Sequence, residues 1–175
     1  VDPSDLSVTE LVAGLRAGAA GSYDTEAGVE LLIRHWTWLA TPGFVRECVT
    51  ARDPDGDLLD VDWTRVAACA LAPQADPAPR AVALIAVQLA GYPKLSSEPV
   101  SLGTLPPLAW LLRTLSRRDV DLVLAAISHA TGTHHQVHHL GEPDPDGTWH
   151  VTSTSPRLRP GPLHDWPPPP LPGLD

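Results

Sequence analysis

Residues 81–90 read Ala-Val-Ala-Leu-Ile-Ala-Val-Gln-Leu-Ala, ten positions with a single polar side chain. A helix that is apolar around its whole circumference has to be covered on every side. The segment therefore demands a buried central helix with other elements packed round it, and it is far too short to span a bilayer. Gly91 ends it. With 175 residues, the chain has length for one good core, or for one domain and a tail.

The covering elements are legible as capped amphipathic helices. Ser7-Val8-Thr9-Glu10 is a capping box, in which the Ser hydroxyl and the Glu carboxylate each satisfy a free backbone N–H. Val8, Leu11, Val12, Leu15 and Ala19 follow at helical spacing, and Gly21 stops the run. A second helix is expected from Asp24 or Thr25 to Pro42. Its stripe is Val29, Leu32, Ile33, Trp36 and Ala40, and Leu31 and Trp38 supply a second apolar side. Asp60 or Asp62 caps a short helix bearing Trp63, Val66, Ala67, Ala70 and Leu71. Residues 73–79 read as a linker and 91–103 as a loop. Thr104 with Pro106 and Pro107 opens a helix to about Leu115. Ser116-Arg117-Arg118-Asp119 is a second capping box, with Val120, Val123, Leu124 and Ile127 behind it and Gly132 closing the helix.

Residues 43–62 admit two readings. Asp53-Pro54-Asp55-Gly56-Asp57 suits a type I turn with a left-handed glycine, which would close a hairpin pairing Val49 with Val61 and Ala51 with Leu59. The rival is a helix from Pro42 to Arg52 followed by a loop. Asp144-Pro145-Asp146-Gly147-Thr148 repeats the turn pattern. Its flanks, 136–142 and 148–154, read as strands that set Glu142 opposite His150. Residues 156–175 hold eight prolines and form an extended arm rather than a core element. The expected whole is mainly α. About six helices surround the central one, with one or two short β-hairpins, a domain over 1–155 and an arm over 156–175.

Six of the eight histidines fall between His129 and His150. On a helix or a strand alike, His134 shares a face with His138, and His135 with His139. Two imidazoles so placed, with a third ligand from His129, Glu142 or His150, suit Zn, Ni or Cu. The candidate metal set is His134, His138, His150 and Glu142. No His-Glu-x-x-His or Cys-x-x-Cys accompanies it. Clustered imidazoles also titrate near neutrality, which suits a pH sensor. The aspartates of 53–62 and 142–147 do not follow the order of a calcium loop, and turn chemistry accounts for them.

Formal net charge is −9, and residues 1–62 hold twelve acids against four arginines. Such a surface repels phosphate backbones, so nucleic acid is a poor partner. Arg113, Arg117 and Arg118 on a helix pair ahead of a hairpin keep a winged-helix DNA-binding regulator as a second alternative. The two cysteines, Cys48 and Cys69, sit among apolar residues and read as buried reduced thiols; a pairing of either with His35 is the nucleophile reading. The N-terminus, Val-Asp-Pro-Ser-Asp, has no basic-then-apolar leader, and a cytoplasmic protein with no membrane partner is expected. No phosphate loop, dinucleotide fingerprint or Gly-x-Ser-x-Gly occurs. The leading functional expectation is a non-enzymatic interaction or regulatory protein. Its arm would lay Leu158, Leu163, Trp166 and Leu171 on its own body or on a second copy in a homodimer. A metal-binding protein or metal-dependent hydrolase using the histidine set is the alternative.

Overall fold

The apolar segment does form the central helix. In the computed structural model it is the larger part of α5 (Pro77–Ala90), where residues 81–87 are all buried. Asp76 precedes the first helical residue, and Pro77 and Pro79 occupy the opening turn, where a missing N–H costs nothing. The linker is thus shorter than the sequence suggests. Arg80 reaches back from the helix to the Ala72 carbonyl at 2.9 Å and closes it. The structure describes residues 1–91, 105–152, 154–155 and 157–169, without the side chain of Glu142. The loop expected after Gly91, Thr104 and Leu171 lie outside the described residues.

Four further helices pack on α5 or on its neighbours. They are α1 (Val8–Ala19), α2 (Tyr23–His35), α3 (Pro42–Cys48) and α4 (Trp63–Leu71). The capping box at Ser7 and Glu10 is formed in both directions. Asp62 caps α4 by accepting from the Thr64 and Arg65 N–H groups. A short α6 (Leu108–Leu111) runs into a 3-10 turn, and Pro107 sits before the helix rather than inside it. Last comes α7 (Arg117–Ala130), capped reciprocally by Ser116 and Asp119. The fold is mainly α, with three two-stranded antiparallel ladders among the described residues.

Two close approaches set the packing. A Cβ on Gly18 of α1 would lie 1.9 Å from the Leu59 carbonyl oxygen, so α1 rests its glycine face directly on a strand. A Cβ on Gly28 of α2 would lie 2.5 Å from that of Ala90, which lets α2 and α5 cross at near-backbone contact. Small residues at such crossings gain dispersion contacts that larger ones would forbid.

Of the two readings for 43–62 the hairpin is the one formed; the rival helix from Pro42 stops at Cys48 instead of reaching Arg52, because residues 49–51 are taken by the strand. Helix α3 ends at Cys48, and the hairpin β1 (Val49–Ala51) with β2 (Leu59–Val61) follows at once. The register is Val49 to Val61 and Ala51 to Leu59, as the turn pattern requires. Gly56 takes φ +83°, and one Asp53 oxygen accepts from the N–H groups of Gly56 and Leu58.

Three expectations are corrected. Helix α2 ends at His35, not near Pro42, because Trp36 adopts a left-handed φ of +66° and caps it through its N–H to Leu32. A non-glycine residue in that region carries strain of about 1 kcal/mol or more, and no glycine announces it. Pro42 instead opens α3. On α7 the buried face is Asp119, Leu122, Val123 and Ala126, whereas Leu124 and Ile127 of the expected stripe are exposed. The cause is Asp119: its side chain is held inward by the Ser116 cap and stands 3.6 Å from His35, which turns the helix by about one residue. Finally, the hairpin at 136–154 is only two pairs long. β4 (Glu142–Pro143) pairs with β5 (Trp149–His150), with Glu142 opposite His150. It cannot lengthen, because the Thr152 N–H is taken by the Ser155 hydroxyl at 2.8 Å and the chain turns there. β3 (His138–His139) pairs with β6 (Arg157–Leu158) of the arm instead.

Candidate functional site

The chemistry-bearing residues of the C-terminal third divide into two places. The first is built where α7 ends. Gly132, at φ +65°, turns the chain so that Thr133–His135 form a 3-10 turn facing the start of α2. Tyr23 fills the space beside that glycine, 2.7 Å from where a Cβ would be. Around Tyr23 lie three imidazoles. His135 stacks on it at 5.5 Å, His134 meets it edge-on at 5.2 Å, and His129 lies 6.2 Å away. His129 and His134 stack on each other with centroids 4.4 Å apart.

Charge is distributed through this cluster by Glu26 of α2. One oxygen meets His129 Nε2 at 2.8 Å, and the other accepts the Gly21 N–H at 2.8 Å. Burial pulls the Glu26 carboxyl upward, but the His129 and Gly21 hydrogen bonds and the nearby imidazoles outweigh it and hold the group below its usual range. His134 is shifted the other way from a paired histidine. Burial, with His129 and His135 beside it, lowers its pKa and favours the neutral ring. Its Nδ1 is buried and has no hydrogen-bond partner among the described residues.

The arm completes the site. Trp166 packs against the core and, with Ala19, Glu26, Val29, Arg34 and His129, lines an open cavity of about 360 Å³. The Arg34 guanidinium lies 5.4 Å from the Trp166 ring centroid and donates through Nη1 to the Pro167 carbonyl. Its Nε is anchored at 2.6 Å to Glu30, which also binds Arg16 by two bonds of 2.9 Å. Two residues upstream, the His164 N–H donates to Ser128 Oγ at 3.1 Å and its ring meets Asp121 at 2.9 Å. Of the residues expected to anchor the arm, Trp166 does so, whereas Leu158 and Leu163 are exposed.

Among the described side chains of the candidate metal set, His134, His138 and His150 are not brought to one point. His134 belongs to the Tyr23 cluster, His138 is exposed on β3, and His150 pairs with Asp144 at 2.9 Å. Only the backbone of Glu142 is described. Among the described residues no three His, Cys, Asp or Glu side chains stand where they could share an ion. The imagined thiol–imidazole pair is not formed either. His35 faces Asp119, and the two cysteines face each other. Sequence reasoning missed Arg34, Glu30, Glu26 and Tyr23. Their only signal was position: an acid and an arginine four apart on a helix face look like an ordinary surface pair.

No helix among the described residues is long and apolar enough to cross a membrane. Comparison of the chain with protein-family models, curated proteins and solved structures finds no match in any of the three.

Proposed function

We propose that this chain is a non-enzymatic interaction protein, and that the groove between α1, α2 and α7 is its recognition surface for an extended segment bearing tryptophan and proline. One observation carries the reading. Arg34 is oriented by Glu30 and serves the arm twice, stacking on Trp166 and donating to the following carbonyl. Extended proline-rich chain is a good ligand for such a groove, because its backbone is already ordered and its carbonyls are free to accept. The arm is then a resident ligand. A partner of the same chemistry competes with it, and a second copy exchanges arms to form a homodimer.

The test uses a peptide spanning residues 157–169 and the chain truncated after Thr154. Every buried apolar side chain of the described core lies at or before Ala126, so the body keeps its packing without the arm. The truncated chain is expected to bind the peptide. The full chain binds it at least about tenfold more weakly, because its own arm acts at high effective concentration. Arg34→Ala in the truncated chain weakens binding about tenfold or more, from the combined loss of the cation–π contact and a charged hydrogen bond. A folded truncated chain with no measurable affinity for the peptide ends the proposal. Light scattering of the full chain separates an arm closed on its own body from arms exchanged in a dimer.

A further inference from the structure

A second cavity, of about 590 Å³, opens between α3, α4 and the start of α5, with no described residue of the arm in its wall. Trp38 and Phe44 form its aromatic wall with ring centroids 5.0 Å apart, and Glu47, Gln74 and Pro79 complete its rim. Cys69, in the last turn of α4, lines this cavity and is partly exposed to it. Behind it, fully buried at the end of α3, is Cys48. The two sulfurs are 3.7 Å apart. These are the only cysteines in the chain, and they are 21 residues apart in sequence on separate helices. The fold brings both to one contact with one of them open to a ligand-sized cavity.

We propose that Cys48 and Cys69 are a modification site: they form an intramolecular disulfide by exchange with a low-molecular-weight disulfide that enters through the Trp38–Phe44 cavity. The order of events follows from exposure. The Cys69 thiolate attacks one sulfur of the incoming disulfide, forms a mixed disulfide and releases one small thiol. Cys48 then attacks Cys69 Sγ, forms the Cys48–Cys69 bond and expels the second small thiol, which takes the Cys48 proton. Two protein thiols lose two electrons, and one small disulfide becomes two thiols. A disulfide needs a sulfur separation of about 2.05 Å, so closure moves the two sulfurs together by less than about 2 Å. Both thiols are held protonated by burial. Around Cys48 the neighbouring thiol, Glu47 and Asp62 add to that, whereas around Cys69 the hydrogen bond with Cys48 and the charge of Arg65 oppose it and Glu47 adds to it. The pair is therefore slow to react at neutral pH, as suits a site that changes state under sustained oxidising conditions.

The bond would tie α3 to α4 across the β1–β2 hairpin and so restrain the unfolded chain over the intervening loop. The experiment is exchange of the full chain with excess oxidised glutathione near pH 9, read by intact mass. Methionine is absent from the chain, so no methionine oxidation complicates the reading. Wild type is expected to lose about 2 Da with no adduct retained, and its Tm rises by roughly 5–10 °C. Cys48→Ala is expected to stop at one stable glutathione adduct on Cys69. Cys69→Ala remains unmodified until it is unfolded. Wild type that accumulates one or two adducts overturns the proposal. So does wild type that stays a dithiol while the urea-unfolded chain oxidises under the same conditions.

Discussion

The body up to Ala130 and the segment laid over it from Thr133 onward are held by different physics. In the body, α5 is wrapped by α2, α4, α6 and α7, and its middle seven side chains are buried. Gly28 of α2 meets Ala90 of α5, and Gly14 and Gly18 of α1 meet Leu59 of β2, so closely that a Cβ at any of the three would collide. The later segment has strands of two residues each, and the described side chains of both ladders are exposed. It is fastened at points: Trp166 under Arg34, His164 on Ser128 and Asp121, and His134 and His135 against Tyr23. A surface fastened at points can be exchanged without dismantling what lies beneath it. That is the physical reason for reading the groove as a recognition surface and the body as its scaffold.

The comparison predicts an order of mutational effects. The largest belongs to Gly18→Ala, whose new methyl would collide with the Leu59 carbonyl and force α1 off β2; a loss of about 3 kcal/mol or more is expected in urea denaturation. Next is Leu84→Ala at the centre of α5, where a fully buried side chain is removed, at about 2–5 kcal/mol. Trp166→Ala should cost clearly less, about 1–2 kcal/mol, because the ring is only half-buried and its loss leaves the body packed. It should at the same time expose the arm to protease at Arg157 and Arg159 while the body resists. A Trp166→Ala loss as large as that of Leu84→Ala would break the distinction, since it would make the arm part of the core.

The same division explains what was legible beforehand. Capping boxes at Ser7 and Ser116, the apolar run in α5 and the two Pro-Asp-Gly turns are local chemistry, and each was readable because its determinants lie within a few residues. The pairing of Val49 with Val61 and of Glu142 with His150 followed from turn geometry alone. What was not legible depends on a distant partner. The buried face of α7 is set by Asp119 reaching His35 on α2, and apolar periodicity gives a polar residue no weight. The end of α2 at Trp36 carries no glycine. The pairing of β3 with the arm rather than with its own hairpin goes with a bond from the Thr152 N–H to the Ser155 hydroxyl, which no local pattern announces. Arg34 and Glu26 became site residues only when Trp166 and His129 arrived beside them.

The smallest predicted effect tests the seam between the two regions. His35 lies in the body against Asp119, and its pKa is lowered below 6.5 by burial, with Arg118 acting in the same sense and Asp119 opposing. His134, in the Tyr23 cluster just after α7, is lowered as well, by burial and by His129 and His135 beside it. A histidine with a depressed pKa binds fewer protons folded than unfolded, so stability rises with pH through that window. Conversely, stability is lost as pH falls from about 7 toward the lowered folded values, before the carboxylates that are lowered from 4.5, such as Glu26, begin to titrate. Thermal melting between about pH 7 and pH 5 should therefore show a fall of a few degrees. His35→Gln should flatten the part due to the body and leave arm proteolysis unchanged. His134→Gln should flatten the remainder and make arm release less dependent on pH. If His35→Gln alone removes the whole slope, protonation is felt only in the scaffold. If His134→Gln does so, the arm senses pH independently of the body that carries it.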